Sequence, residues 1–287
     1  MNLADIGTIK KLLNADDFSF KKSLGQNFLI DETVCPRMAD ASCDEETGVF
    51  EIGPGIGVLT TALAEKAKRV VAIELDERLR PILSKTLADY KNIKVIFGDA
   101  MKLDLKEIIK ENFADCERVA VCANLPYYIT SPVIMMLLES RLPIDNITVM
   151  VQKEAAQRLC AEVSSREAGA VTVAVRYYSE TEILFYVGRD SFMPPPKVDS
   201  AVIKLNVCKE PPFLVRDEKK FFSLVKACFA QRRKTLQNTV SSTLHIEKSA
   251  LADCLSDMNL PTDIRAEKLN MEQLCELHNL LHDKKIY

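Results

Sequence analysis

Between residues 49 and 151 the chain alternates short apolar runs rich in β-branched residues with helix-length stretches, and this alternation restricts the fold more than any single motif. The runs fall at 49–52, 69–74, 93–97, 119–123 and 147–151, with helices read at 58–66, 77–90, 106–112 and 132–140. Strands apolar on both faces and joined by helical crossovers build a parallel sheet that is covered on both sides. Further helices are read at 153–160 and 170–178. Two later apolar runs, 182–187 and 201–207, enclose the proline-rich Ser191-Phe-Met-Pro-Pro-Pro-Lys-Val-Asp199 with no helix between them, which predicts an antiparallel pair.

Around Lys209-Glu-Pro-Pro-Phe213 the pattern breaks, and two prolines punctuate the chain. Beyond them 218–237, 247–257 and 271–282 read as helices, with Asn259-Leu-Pro-Thr262 as a turn. The expectation is an α/β domain over 1–208 and a smaller all-helical C-terminal domain over 209–287. A length of 287 residues suffices for both, and 47% hydrophobic residues provide a core for each. Seven strands ending in an antiparallel pair fit a Rossmann-like class I methyltransferase sheet better than a dinucleotide-binding one.

Composition narrows the partners. A net charge of −3 means that any nucleic acid is met by a local basic surface, because net charge averages over faces that never touch the ligand. Nine cysteines with no C-x-x-C pair read as reduced thiols of a cytoplasmic protein, not a disulfide framework or a zinc site. The N-terminal Met1-Asn-Leu-Ala-Asp-Ile6 has no basic stretch leading into an apolar signal core, and no apolar run approaches the roughly 20 residues needed to span a membrane. A soluble cytoplasmic chain with no membrane partner is expected.

Phe50-Glu-Ile-Gly-Pro-Gly-Ile-Gly57 sits at the first strand-to-helix junction, where Gly53 and Gly55 allow a tight turn and close ligand approach. A dinucleotide fingerprint would need glycine at 58, where Val58 stands. The second strand ends at Glu74, 21 positions after Gly53, where a carboxylate can accept both hydroxyls of a ribose. That serves NAD or S-adenosylmethionine equally. The third strand ends in Phe97-Gly-Asp-Ala100, and Asp99 is either an acceptor for an adenine amine or a plain turn-former. Upstream, Gly25-Gln-Asn-Phe-Leu29 is either a strap over the cofactor or an ordinary surface loop.

Asn124-Leu-Pro-Tyr-Tyr128 follows the fourth apolar run, at the carboxyl end of a buried strand, where open α/β sheets bind ligands. An exocyclic adenine nitrogen is a poor nucleophile because its lone pair is delocalised into the ring. Two acceptors gripping its hydrogens favour the pyramidal geometry that aims the lone pair at a sulfonium methyl. The Asn124 Oδ1 and the Leu125 carbonyl are the candidates, with Pro126 fixing the turn. Tyr127 offers an aromatic face for the base as positive charge builds on it. This points to an amino-group methyltransferase acting on a nucleobase.

Lys21-Lys-Ser-Leu-Gly-Gln-Asn-Phe-Leu-Ile-Asp31, Glu51-Ile-Gly-Pro-Gly-Ile-Gly57, Ala72-Ile-Glu-Leu-Asp76, Gly98-Asp99 and Asn124-Leu-Pro-Tyr-Tyr128 together resemble the rRNA adenine N6-dimethyltransferases. Phe192-Met-Pro-Pro-Pro-Lys-Val-Asp-Ser200 and Phe229-Ala-Gln-Arg-Arg-Lys-Thr-Leu236 extend the likeness over about residues 18–240, toward the bacterial small-subunit enzymes, the kasugamycin-sensitivity methyltransferases. The resemblance implies S-adenosylmethionine as donor, with Asn27, Leu29, Gly53, Glu74, Asp99 and Asn124 as its contacts. It implies two methyl transfers on each of two adjacent adenines near the 3′ end of 16S rRNA, within the small (30S) subunit or its precursor. Phe192 would close over the flipped adenine opposite Tyr127. One departure is Ala168, where the family pattern leads one to expect an aromatic residue before Gly169.

Basic residues suggest where RNA would lie. Lys21 and Lys22 flank the strap, and Arg232, Arg233 and Lys234 end a segment, 209–234, with eight Lys/Arg against three Asp/Glu. His278 and His282 share a helix face without an apparent third ligand, so they read as an exposed helix end and no metal is expected. A monomer is expected. Three alternatives stand beside this reading: a large-subunit resistance methylase, a non-catalytic ribosome-assembly or transcription factor on the same fold, and an NAD oxidoreductase.

Overall fold

The computed structural model describes residues 1–15 and 27–287, so Lys21, Lys22, Gly25 and Gln26 lie outside the described residues. Two compact units are formed: residues 1–156 with 181–209, and residues 157–180 with 210–287. The second unit thus takes 157–180, which hydropathy alone assigns to the sheet domain. The reason is aromatic packing. Tyr177 and Tyr178 end helix α8 (Ala170–Tyr178), and Tyr177 meets Phe213, Phe221 and Phe222 with ring centroids 6.5, 5.5 and 5.3 Å apart. Glu218 accepts hydrogen bonds from both phenols, at 3.4 and 2.7 Å.

Among the described residues, the first unit is built on nine strands and seven other α-helices, the last of which, Lys153–Leu159, runs past its boundary at 156. The strands are β1 (Phe28–Leu29), β2 (Thr47–Ile52), β3 (Arg69–Glu74), β4 (Ile93–Phe97), β5 (Arg118–Asn124), β6 (Asn146–Gln152), β7 (Ser179–Val187), β8 (Phe192–Met193) and β9 (Ser200–Val207). The seven-stranded sheet runs β4-β3-β2-β5-β6-β9-β7. Its first five strands are parallel, and β9 pairs antiparallel with β6. The remaining two strands, β1 and β8, form a separate antiparallel ladder.

Residues of β2 are buried throughout, as expected for a strand covered on both faces. One face receives α2 (Val34–Ser42) and α3 (Val58–Ala64), whose Met38, Ala39, Leu59 and Leu63 pack on Val49, Val70 and Ala120. Phe50 turns to the opposite face and meets Phe113 edge-on at 5.0 Å, just beyond α5 (Leu105–Asn112). Helix α1 (Ile6–Ala15) places Ile9 and Leu13 against Leu79, Ile82 and Leu83 of the segment leading into and along α4 (Arg80–Thr86). The stretch read as one helix over 77–90 is a 3-10 turn followed by α4, because Pro81 lacks the N–H of a helix interior and sits in the first turn instead. Helix α6 (Thr130–Glu139) follows β5, and α7 (Lys153–Leu159) follows β6.

In the second unit, α9 (Glu218–Cys228), α10 (Leu236–Leu244), α11 (Lys248–Asp257) and α12 (Met271–Asp283) accompany α8. The single helix expected over 218–237 is two helices. Thr235 adopts extended backbone and its hydroxyl caps α10 by accepting from the Asn238 amide at 3.4 Å, while the Leu236 amide donates to the Ile264 carbonyl at 2.8 Å. Asp217 caps α9, and a reciprocal Asn270–Gln273 pair caps α12. Among the described residues no helix is long and apolar enough to cross a membrane.

Candidate active site

The carboxyl ends of β2, β3, β4 and β5 open on one cavity of about 350 Å³. Strand polarity alone accounts for this convergence: parallel strands end on the same side, so their following loops meet there. Asn27, Leu29, Gly53, Gly55, Glu74, Asp99, Asn124, Leu125, Pro126, Tyr127 and Phe192 all line it, so the structure brings the sequence-derived cofactor and catalytic residues into one space.

Gly53, at φ +75°, has open space where a Cβ would stand, which leaves the backbone accessible to a ligand. Gly57 has a different task. Its φ is +97°, and a Cβ there would stand 2.9 Å from Leu87, so this glycine serves close packing of the turn. Glu74 closes β3 with its carboxylate held by the amides of Gly55 at 3.2 Å and Asp76 at 2.8 Å. Burial raises its pKa against those two hydrogen bonds. Asp99 lines the cavity and also accepts from the Met101 amide at 3.0 Å, with Lys102 3.4 Å away. It is therefore a turn-former that also borders the cavity.

Asn124 is the last residue of β5, paired in parallel register with Met150, and the Leu125 amide donates to the Met150 carbonyl at 3.3 Å. Its half-buried carboxamide makes no hydrogen bond to a described residue. Pro126 begins a turn closed by the Ile129 amide on its carbonyl at 3.1 Å. The Tyr127 hydroxyl is tied at 2.8 Å to the Ser200 hydroxyl, which is buried at the start of β9. Burial raises the phenol's pKa, with the Ser200 hydrogen bond opposing. Phe192 is itself buried, in the same cluster as Leu29, its partner in the β1–β8 ladder. That ladder is extended by the Ile30 amide on the Ser191 carbonyl at 2.8 Å and by the Ser191 hydroxyl on Asp31 at 3.2 Å. The Asn27–Leu29 segment and the Phe192 segment are thus one hydrogen-bonded piece.

Sequence reasoning missed several residues here. Ser200 lies within a quoted motif, but nothing local shows that its partner is 73 positions away. Tyr128 lines the cavity mouth while 57% exposed. Glu51 was available to see: a carboxylate within the apolar run Val49-Phe-Glu-Ile52. It lines the cavity at 1% exposure with Oε2 unpartnered.

The basic triplet lies in the turn between α9 and α10, not on a helix. Arg232 donates to the carbonyls of Arg166 at 2.6 Å and Ala168 at 3.2 Å, clamping the turn that ends at Gly169. Arg233 and Lys234 are exposed. His278, expected on an exposed face, is fully buried. Its Nε2 accepts the Asp217 amide at 3.3 Å, and Nδ1 meets the Tyr287 hydroxyl at 2.6 Å, so both nitrogens serve the packing of the helical unit.

None of the described residues lining the cavity is Lys, Arg or His, while Glu51, Glu74 and Asp99 all reach it. A nucleoside carrying positive charge fits such a wall, and an anionic dinucleotide does not. Sheet order, glycine turn and acidic strand end define a class I S-adenosylmethionine-dependent methyltransferase. Residues 17–283 match the profile of the family described as ribosomal RNA adenine dimethylase, and the chain belongs to that family. It is 48% identical over 278 residues to the ribosomal RNA small subunit methyltransferase A of Bacillus licheniformis, covering 96% of this chain and 95% of that one. The Listeria monocytogenes protein of the same name is 46% identical over 287 residues, with coverages of 98% and 97%. Among solved structures, a dimethyladenosine transferase from Plasmodium falciparum superposes with TM-score 0.70 at 25% identity, over 100% of this chain and 99% of that one. The 23S rRNA methyltransferase ErmE gives 0.68 at 26% identity, over 89% and 100%.

Proposed function

We propose that this enzyme dimethylates N6 of two adjacent adenines near the 3′ end of 16S rRNA, within the 30S subunit or its precursor, during ribosome biogenesis in the cytoplasm, and that it works as a monomer. The observation that carries the chemistry is the Asn124 carboxamide, directed at the cavity and uncommitted to the described residues. Full-length likeness to relatives named for the small subunit favours that substrate over 23S rRNA.

Bound S-adenosylmethionine supplies an electrophilic sulfonium methyl. The protein's own work is binding and aim. Glu74 takes the ribose hydroxyls and Asp99 the donor's adenine amine, while Asn27 and Leu29 cover the donor from the strap. The target adenine leaves its helix, at a cost of a few kcal/mol, and enters beside Asn124. Tyr127 stacks on it and Phe192 closes the other side, stacking being worth about 1–3 kcal/mol per base. The Asn124 Oδ1 and the Leu125 carbonyl accept the two N6 hydrogens and turn the nitrogen lone pair toward the methyl. Proton loss follows transfer, because the methylated nitrogen is acidic, so no strong base is required beforehand. Arg233 and Lys234 meet phosphates of the rRNA, and Lys21 and Lys22 are assigned the same role from the sequence.

The test is labelling of 30S particles from a strain lacking this methylation with tritiated donor, followed by mapping of the modified nucleotides. Label in two adjacent adenines near the 3′ end is expected. Label confined to 23S rRNA would favour the large-subunit reading, and no label in any RNA would favour the non-catalytic one.

A further inference from the structure

The Tyr127 ring borders the cavity, but its hydroxyl is engaged elsewhere, in the 2.8 Å hydrogen bond it shares with the Ser200 hydroxyl. Stacking on a base needs the ring and not the oxygen, so a phenylalanine would serve unless the oxygen has a task of its own. Ser200 does not border the cavity. It is fully buried as the first residue of β9, paired in register with Gln152 of β6. The residue before it is pinned twice: the Asp199 carbonyl accepts from the Lys153 amide at 3.0 Å, and the Asp199 carboxylate from the Arg189 amide at 3.1 Å. On its other side β6 pairs Met150 with Asn124. The amide that faces the substrate and the hydroxyl that holds the ring are therefore set by one strand, opposite residues two apart, or about 6–7 Å along it. Tyr127 lies outside the sheet, in the turn between β5 and α6, where no ladder fixes its ring. The bond to Ser200 refers that ring to the same strand as Asn124. Burial raises the phenol's pKa, so at neutral pH it is a protonated hydrogen-bonding group and not a base.

Dimethylation asks more of that ring the second time. An unmodified adenine offers two N6 hydrogens to two acceptors, the Asn124 Oδ1 and the Leu125 carbonyl. N6-Methyladenine offers one, because a methyl group stands in place of the other and neither oxygen can grip it. In each transfer the nitrogen lone pair forms the new C–N bond as the methyl–sulfur bond breaks. The sulfur keeps that bond's electron pair as a neutral thioether, and one N6 proton goes to solvent. The aim of the lone pair rests on two polar grips in the first transfer, and on one grip and the stacked ring in the second. We propose that Ser200 is a positioning residue that pins the Tyr127 ring, and that its contribution falls mainly on the second methyl transfer to each adenine. This rests on the dimethyltransferase reading above and divides its two steps between different parts of the site.

The experiment follows methylation of unmodified 30S particles by the whole chain at saturating S-adenosylmethionine. At each time the rRNA is digested, and N6-methyladenosine is separated from N6,N6-dimethyladenosine by chromatography. The wild type should pass quickly to the dimethylated product. Ser200→Ala should slow the first transfer by less than about tenfold and the second by about a hundredfold, the loss that roughly 1 Å of misplacement brings, so the monomethylated nucleoside accumulates. Donor affinity, measured by calorimetry on the same preparations, should stay within about threefold, because Ser200 does not border the cavity. Tyr127→Phe keeps the ring and removes the other half of the bond. It should give the same accumulation, and it carries the test should Ser200→Ala not fold. The double variant should be no slower than the slower single one, since both remove one interaction. A purely structural role predicts a lower melting temperature with the ratio of the two products unchanged, and that result overturns the proposal. So do equal losses in the two transfers, or losses in the single variants that multiply in the double one. Each of these outcomes leaves dimethylation by the wild type intact. A wild type that methylates no adenine would instead refute the functional reading, and the proposal with it.

Discussion

Replacing Asn124 by alanine separates binding from chemistry more cleanly than any other change at this site. The carboxamide makes no hydrogen bond to a described residue, so its removal orphans no partner. It is half-buried at a strand end, so the packing lost is small and the melting temperature should move by no more than a few degrees. Its backbone pairing with Met150 does not involve the side chain. What disappears is an acceptor needed chiefly as the N6 nitrogen pyramidalises. Preorganised polar contacts of that kind are worth roughly 3–4 kcal/mol in the transition state, a loss in kcat of about 10²–10³. Donor affinity should fall by no more than a few fold, since Asn124 is one donor contact among several, and rRNA affinity likewise. The assay is single-turnover methylation of unmodified 30S particles, with donor binding measured by calorimetry on the same preparations. A kcat within threefold of the wild type, or a loss seen in KM alone, would refute the role given to this amide.

Further perturbations test other parts of the structure. Gly57→Ala should cost about 2–3 kcal/mol in stability, read as a fall in the denaturant midpoint, because it combines a left-handed backbone with a Cβ 2.9 Å from Leu87; an unchanged midpoint would show that the turn relaxes freely. Burial, then the neighbouring His282, lowers the His278 pKa from 6.5 to about 4. The unfolded chain therefore binds the proton first, and up to about 3 kcal/mol of stability, complete above pH 6.5, is lost as pH falls toward 4. Urea melts should show that acid limb, and His278→Gln should flatten it. Arg233→Ala combined with Lys234→Ala should reduce the salt slope of rRNA binding by about two, while Arg232→Ala should loosen the 166–168 turn, seen as faster amide exchange there; equal slopes for mutant and wild type would remove the patch from the interface.

The strands were legible because both faces of the sheet are covered, which writes them as unbroken apolar runs such as Val70-Val-Ala-Ile73. The site was legible for a related reason. Parallel strands end together, so motifs at 53–57, 74, 99 and 124–127 had to converge without any knowledge of side-chain contacts. Helix α2 went unread although Val34, Cys35, Met38, Ala39 and Ser42 follow a helical period, since Pro36 looks like punctuation and Thr33 makes no side-chain cap. Long-range pairings were invisible. The two-residue strands β1 and β8 are too short to carry a pattern, and Tyr127–Ser200 or His278–Tyr287 exist only once the chain is folded. Arg232 shows the converse error: a charge cluster reads as one surface, yet one of its three members is spent on backbone carbonyls.

Because residues 157–180 belong with the helical unit, the polypeptide passes between its two units three times, at 156/157, 180/181 and 209/210. Cutting the gene after codon 208 would therefore not release a self-sufficient catalytic fragment. The product would keep α8 yet lose Phe213, Phe221, Phe222 and the Glu218 carboxylate, leaving two tyrosines bared to water and prone to aggregation. A truncation meant to isolate the chemistry has to excise this insert as well, rejoining the chain from 156 to 181.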